Sequence, residues 1–203
     1  RIEQESFNQI RALSDLTAFD KDQAQIAMRL IHTCGAPGIA DAIHISEQAV
    51  VSGLQAIKNS GAVLCDVEMV KHGLTKRLIQ QEVYCYLNDD RVPDLAKQYA
   101  ETRTMAALRY WEPYIEGSIV LIGNAPTALF RLMEMIQAGS PKPALIIGVP
   151  VGFVGAAESK DALIEFGRQH SIPYITVTGF VGGSAMTAAA FNALLRLSNN
   201  IRF

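Results

Sequence analysis

No stretch of this chain reaches the roughly 18 consecutive apolar residues that suggest a membrane span. Residues 1–6 are mostly polar and charged and do not resemble a secretory signal. Cysteine is scarce: Cys34, Cys65 and Cys85 are odd in number and far apart. That spacing fits neither a disulfide framework nor a zinc pattern. The three read as small core residues of a protein in a reducing, cytoplasmic setting. Excess charge is missing too. The formal net charge is -2, so no basic field draws nucleic acid or an anionic membrane, and any anion binding is local. No glycine turn carries the dinucleotide pattern G-x-G-x-x-G. Residues 155–160 fall short of a Walker A loop because no glycine precedes Lys160. No repeat, low-complexity segment, Ser–His–Asp order or Cys–His order stands out.

What remains is a globular composition, 49% hydrophobic and 19% charged over 203 residues. That length supports one domain, 1–203, with a sizeable core. The texture changes near Gly61. Before it, in residues 1–60, apolar residues recur at helical spacing. Phe7, Ile10 and Leu13 mark a first helix. Ala27, Leu30, Ile31 and Cys34 mark a second, with Asp20 placed to cap it and Gly35 to end it. A third begins near Ser46 and presents Val50, Leu54 and Ile57.

Residues 61–203 alternate short β-rich runs (62–65, 83–87, 118–122, 144–149 and 174–178) with helical stretches, clearest at 94–111, 127–138, 156–169 and 185–197. Several runs are apolar throughout, as strands covered on both faces are. The alternation predicts an α/β fold with five parallel strands, doubly wound, behind an N-terminal helical arm. Ligand groups then belong beyond the carboxyl ends of the strands. The turns there, residues 123–127, 150–155 and 179–184, are rich in Gly, Pro and Asn. They are either tight βα turns and nothing more, or helix starts whose free N–H groups receive an anion.

Individual residues keep two readings at this point. Arg29 and His32 are three apart and share a helix face. The helix dipole near the second helix's end favours a protonated His32, while Arg29 opposes it. A ligand carboxylate on Arg29 would cancel that repulsion and make His32 a better proton donor; otherwise the two are a solvated surface pair. Asp66 and Glu68 suit acid–base or metal chemistry, or a helix cap at Asp66. Arg103 falls mid-helix as a solvated charge. His44, His72 and His170 sit in polar surroundings.

Six ordered blocks carry more information than any of these alone. They are RLIHTCG at 29–35, CDVEMV at 65–70, TRTMAAL at 102–108, IGNAPTALF at 122–130, GVPVGFVGAAESK at 148–160 and GGSAMTAAAFNAL at 182–194. Over nearly its whole length the chain resembles the precorrin-8 methylmutase family. The resemblance implies a flavodoxin-like three-layer αβα sandwich and a homodimer with active sites close to the subunit interface. It implies an acid-assisted [1,5] shift of a ring methyl group on a tetrapyrrole in cobalamin synthesis, with no cofactor and no metal held by the protein. His32 matches the family's catalytic histidine, Arg29 and Arg103 its substrate-contacting arginines, and Ser6 a serine of the N-terminal helix. Residues 36–38, Ala-Pro-Gly, depart from the family's usual loop.

A macrocycle edged with acetate and propionate suits guanidinium forks. Backbone N–H groups at Asn124, Thr127, Gly183 and Ser184 are expected to hold further carboxylates, and Phe153, Val154 and Met186 to wall the ring. Two other classes stay open: a non-catalytic tetrapyrrole carrier of the same fold, and a nucleotide-binding α/β protein, which the missing phosphate loops disfavour.

Overall fold

The computed structural model describes residues 2–203. Helix α1 spans Ile2–Leu13 and α2 spans Lys21–Cys34. Local chemistry sets both ends of α2. The Asp20 carboxylate accepts the N–H groups of Asp22 and Gln23 at 2.9 and 2.8 Å, and Gln23 accepts the Asp20 N–H at 3.1 Å, a closed capping box. At the other end Gly35 turns left-handed (φ 67°) and donates to the Ile31 carbonyl at 2.8 Å. A 3-10 segment, Pro37–Ala42, then leads into strand β1, Ile43–Ile45, and helix α3, Ala49–Lys58.

Beyond α3 follow β2 (Val63–Cys65), α4 (Glu68–His72), β3 (Val83–Tyr84), α5 (Val92–Tyr99), α6 (Arg103–Ala107) and a 3-10 segment, Leu108–Tyr114. Then come β4 (Ile119–Ile122), α7 (Pro126–Gln137), β5 (Leu145–Gly148), α8 (Ala156–His170), β6 (Tyr174–Val177) and α9 (Ser184–Ser198). The sheet runs β1-β6-β5-β4-β2-β3. All pairings are parallel except β1 with β6, where Ile43 faces Val177 and Ile45 faces Ile175.

Every residue of β2, β4, β5 and β6 is buried, and successive side chains serve opposite faces. Val63, Cys65, Ile119, Leu121, Ile147 and Val177 join the core under α1, α2, α3 and α9. Leu64, Val120, Ile122, Ile146 and Tyr174 join a second core with Trp111 and the inner faces of α7 and α8. Helices therefore cover the sheet on both sides. No described helix is long and apolar enough to cross a membrane.

Two expectations need correction. The sheet has six strands, not five, because β1 lies inside the stretch read as helices. Three residues, one of them His44, are too few to show alternation, and β1 is fixed by its partner β6 rather than by its own pattern. The single helix expected over 94–111 is broken into three pieces. Ala100 takes a left-handed conformation (φ 51°), and Thr102 restarts the helix by accepting the Met105 N–H at 3.2 Å. The residue between them, Glu101, is drawn to Arg109 and to Arg131, an ion-pair set that no local pattern reveals.

Candidate active site

The chain leaves β2 toward β3 on one side and returns to β4 on the other. The carboxyl ends of β2 and β4 thus border a crevice of the kind that receives ligands in open α/β sheets. Asp66 follows β2 into this crevice and is buried. Its carboxylate accepts the N–H groups of Gly123, Asn124 and Ala125 at 3.1, 2.9 and 3.0 Å. Burial pushes the Asp66 carboxyl above its ordinary range, and the N–H groups of Ala125, Gly123, Asn124 and Val67 offset only part of that rise. Asp66 caps no helix of its own, since α4 starts from Val67 without a side-chain cap. It braces the β4–α7 turn.

The brace revises what was expected of that turn. The Asn124 N–H is already engaged by Asp66, so only the exposed Asn124 side chain remains for a ligand. Likewise the Gly183 N–H donates to the Val149 carbonyl at 2.8 Å and is not free. Thr127 is exposed, with its hydroxyl 3.4 Å from that of Thr102. Ser184 opens α9. Gly123 draws these turns together: a methyl group there would come within 2.8 Å of the Thr187 hydroxyl and 2.9 Å of the Ser184 Cα. Arg103 is the first residue of α6, not a mid-helix residue. It is exposed, and one Nη donates to the Leu87 carbonyl at 2.9 Å and the Asn88 side chain at 3.1 Å. No carboxylate occupies its fork among the described residues, so donors remain for a ligand.

The neighbouring turns expose an apolar platform. Phe153 and Val154 are 85% and 90% exposed, and Val151, Phe180 and Val181 are exposed beside them. The rings of Phe153 and Phe180 lie 5.4 Å apart. Met186 is buried and cannot serve as a wall. Phe180 and Val181 were not expected there, although two apolar residues set between glycines in a βα turn are a readable signal.

A second group lies on the helical arm. His32 is exposed in the last turn of α2, stacked on Phe7 with centroids 5.2 Å apart. Phe7 stacks in turn on Phe203 at 3.8 Å. The Arg29 guanidinium lies 4.8 Å from the Phe7 ring and 4.5 Å from the Phe203 ring. Arg29 is already paired: Glu3 accepts from it at 3.0 Å and faces Arg196 at 3.7 Å. Burial pushes the Glu3 carboxyl up, but the Arg29 hydrogen bond and the charges of Arg196, Arg29 and His32 outweigh it and hold it below its ordinary range. Ser6 turns its hydroxyl onto its own helix, 3.1 Å from the Ile2 carbonyl. Glu3, Arg196 and Phe203 went unnoticed in the sequence because nothing local ties them to His32.

Among the described residues no hydrogen bond or ion pair joins Ser6, Arg29 or His32 to Arg103, Asn124, Thr127, Gly183 or Ser184. The two groups approach the same end of the sheet by different routes. The segment after α2 reaches the carboxyl end of β6, where Thr178 donates to the Ala42 carbonyl at 2.8 Å. No cluster of three or more His, Cys, Asp or Glu fit to hold a metal occurs among the described residues. The cysteines are unpaired, and burial pushes the Cys85 thiol up to about 12, which makes it a poor nucleophile.

This arrangement has counterparts. The family described as precorrin-8X methylmutase matches residues 1–197. A Sinorhizobium precorrin-8X methylmutase is 49% identical over 96% of this chain and 93% of its own length. A cobalt-precorrin-8 methylmutase of Leptospira interrogans is 36% identical over 98% of this chain and 93% of its own. The crystal structure of precorrin-8X methylmutase from Thermus thermophilus superimposes with a TM-score of 0.88 at 35% identity, covering 98% of this chain and 96% of that one. With sequence and fold matched from end to end, the chain belongs to the precorrin-8X methylmutase family.

Proposed function

We propose that the chain is an isomerase of cobalamin biosynthesis, moving one methyl group on precorrin-8, or its cobalt-bearing counterpart, to give hydrogenobyrinate or cobyrinate. The observation that carries this reading is the exposed platform of Phe153, Val154, Phe180 and Val181, with Arg103 on the same end of the sheet and without an acidic partner among the described residues. A flat ring needs the apolar surface, and its acidic edge needs the cation. Arg29, Ser6, Asn124, Thr127, Gly183 and Ser184 complete the substrate contacts in this reading. Gly183 contributes through close backbone approach, since its N–H is engaged.

His32 donates a proton to the macrocycle. That draws electrons toward the ring, the methyl migrates to the adjacent ring carbon, and the proton is then released. Substrate and product have the same composition, so no oxidant and no cofactor is consumed. One well-placed donor contributes roughly 10²–10⁴-fold.

The reading includes a single domain over 1–203, a homodimer with the site near the subunit interface, and a cytoplasmic location. The dimer is supported by the separate placement of the two groups, since no hydrogen bond or ion pair among the described residues joins Ser6, Arg29 or His32 to Arg103, Asn124, Thr127, Gly183 or Ser184 within one chain. Three unpaired cysteines support a reducing compartment. The five parallel strands lie in the order β3-β2-β4-β5-β6. Counting only these strands the order is 2-1-3-4-5, which supports a flavodoxin-like assignment.

Mixing the protein with precorrin-8 and following the visible spectrum tests the reading. An isomerase changes the spectrum over many turnovers. A carrier changes it once, in proportion to protein, and a nucleotide-binding protein leaves it unchanged. The cobalt-bearing substrate, run in parallel, assigns the aerobic or anaerobic route.

A further inference from the structure

Lys160, in the second turn of α8, is fully buried, alone among the described lysines. Its ammonium donates to the Val181 carbonyl at 2.8 Å. An ammonium carries three donors, and no carboxylate pairs with this one among the described residues. Burial pulls its pKa down to about 8, opposed only by the charge of Asp161, its neighbour on α8. The elements around it offer no other counter-charge. Residues 149–155 and 178–184 contain no charged side chain, nor does β5. β6 contributes only Tyr174. On α7, Arg131 and Glu134 pair with each other at 3.2 Å, and Arg131 also pairs with Glu101.

The acceptor matters as much as the charge. Val181 stands in the loop after β6, in the apolar platform. That loop is tied to the β5–α8 turn by two backbone bonds, Gly183 to Val149 at 2.8 Å and Gly152 to Phe180 at 3.4 Å. A methyl group on Gly182 would lie 2.4 Å from the Val149 carbonyl oxygen, so the two turns are in van der Waals contact. Lys160 is the third tie, reaching from below the platform, and the only charged one.

We propose that Lys160 is a positioning residue for the macrocycle: it fixes the Phe180–Val181 limb of the platform, and its unneutralised charge beneath that limb attracts a substrate carboxylate. This rests on the proposed function and extends it to a residue outside the contacts named above. A hydrophobic side chain of similar volume would fill the same space without burying a charge. The buried cation is therefore explained by what binds above it.

The test compares Lys160→Met, which loses charge and donor, with Lys160→Gln, which keeps a donor but loses the charge. Folding of each is checked by circular dichroism. Binding of the product hydrogenobyrinate and steady-state turnover of precorrin-8 are then measured. Lys160→Met should weaken product binding and raise KM on the order of tenfold, with a smaller change in kcat; Lys160→Gln should recover part of the loss. Wild-type product affinity should also fall as pH rises through about 8, and Lys160→Met should lack that limb. If Lys160→Met does not fold, Lys160→Gln carries the comparison. A wild type that turns over while both variants keep its KM, affinity and pH dependence overturns this inference alone. A wild type that neither binds nor converts the macrocycle overturns the functional reading and this inference with it.

Discussion

Asp66 and Asn124 meet across the crevice between β2 and β4, with the Asp66 Oδ2 accepting the Asn124 N–H at 2.9 Å. With Gly123 and Ala125 included, one side chain satisfies three successive backbone donors. The protein thus supplies its own anion where related architectures bind an external one. Replacing Asp66 by Ala leaves three donors with no acceptor inside the protein. The expected loss is about 2–5 kcal/mol of stability, seen as a lower denaturant midpoint, together with weaker product binding. A midpoint equal to wild type would mean that the turn holds its shape unaided.

Glu3 accepts from one Nη of Arg29 at 3.0 Å, a donor that the proposed function assigns to a substrate carboxylate. The pair is half-exposed on the Glu3 side, so its removal should change stability by less than about 1 kcal/mol. Glu3→Gln should nevertheless tighten product binding several-fold, most clearly at low salt, because the competitor for Arg29 is gone. Weaker binding in Glu3→Gln would show that Glu3 orders Arg29 for the ligand.

His32 rests on the Phe7 ring and needs no partner to keep its place. His32→Asn should therefore fold and bind product much as wild type does, yet lose on the order of 10²-fold or more in kcat. Near wild-type turnover by His32→Asn would transfer the proton to another group or to water.

Lys160 also leaves a mark on stability. Its folded pKa of about 8 lies below the ordinary lysine value of 10.5. Between those values the unfolded chain binds more protons than the folded one, so stability rises with pH. Unfolding titrations at pH 7, 8, 9 and 10 should show wild type gaining on Lys160→Met above pH 8. A constant difference would place the amine in contact with water.

Strands β2, β4 and β5 were legible because each is a short apolar run of the kind a strand covered on both faces carries. The ends of α2 were legible because Asp20, Gln23 and Gly35 act within a few residues of themselves. Interactions that close over long separations were not. The partners of Asp66 lie 57 to 59 residues away, and Arg29 meets Glu3 across 26. The break at Ala100 likewise depends on Arg131, well beyond the helix it interrupts. His32, Arg29 and Arg103 stood out through their sequence blocks. That Arg29 is already paired, and that the Asn124 and Gly183 N–H groups are taken, is visible only in three dimensions.

The platform separates frame from tile. Its frame is backbone: Gly182 against Val149, Gly183 bonded to Val149, Gly123 against Ser184. Its tiles, Phe153, Val154, Phe180 and Val181, project outward from that frame. Replacing an exposed tile should therefore cost little folding stability, whereas a side chain added to the frame must displace backbone.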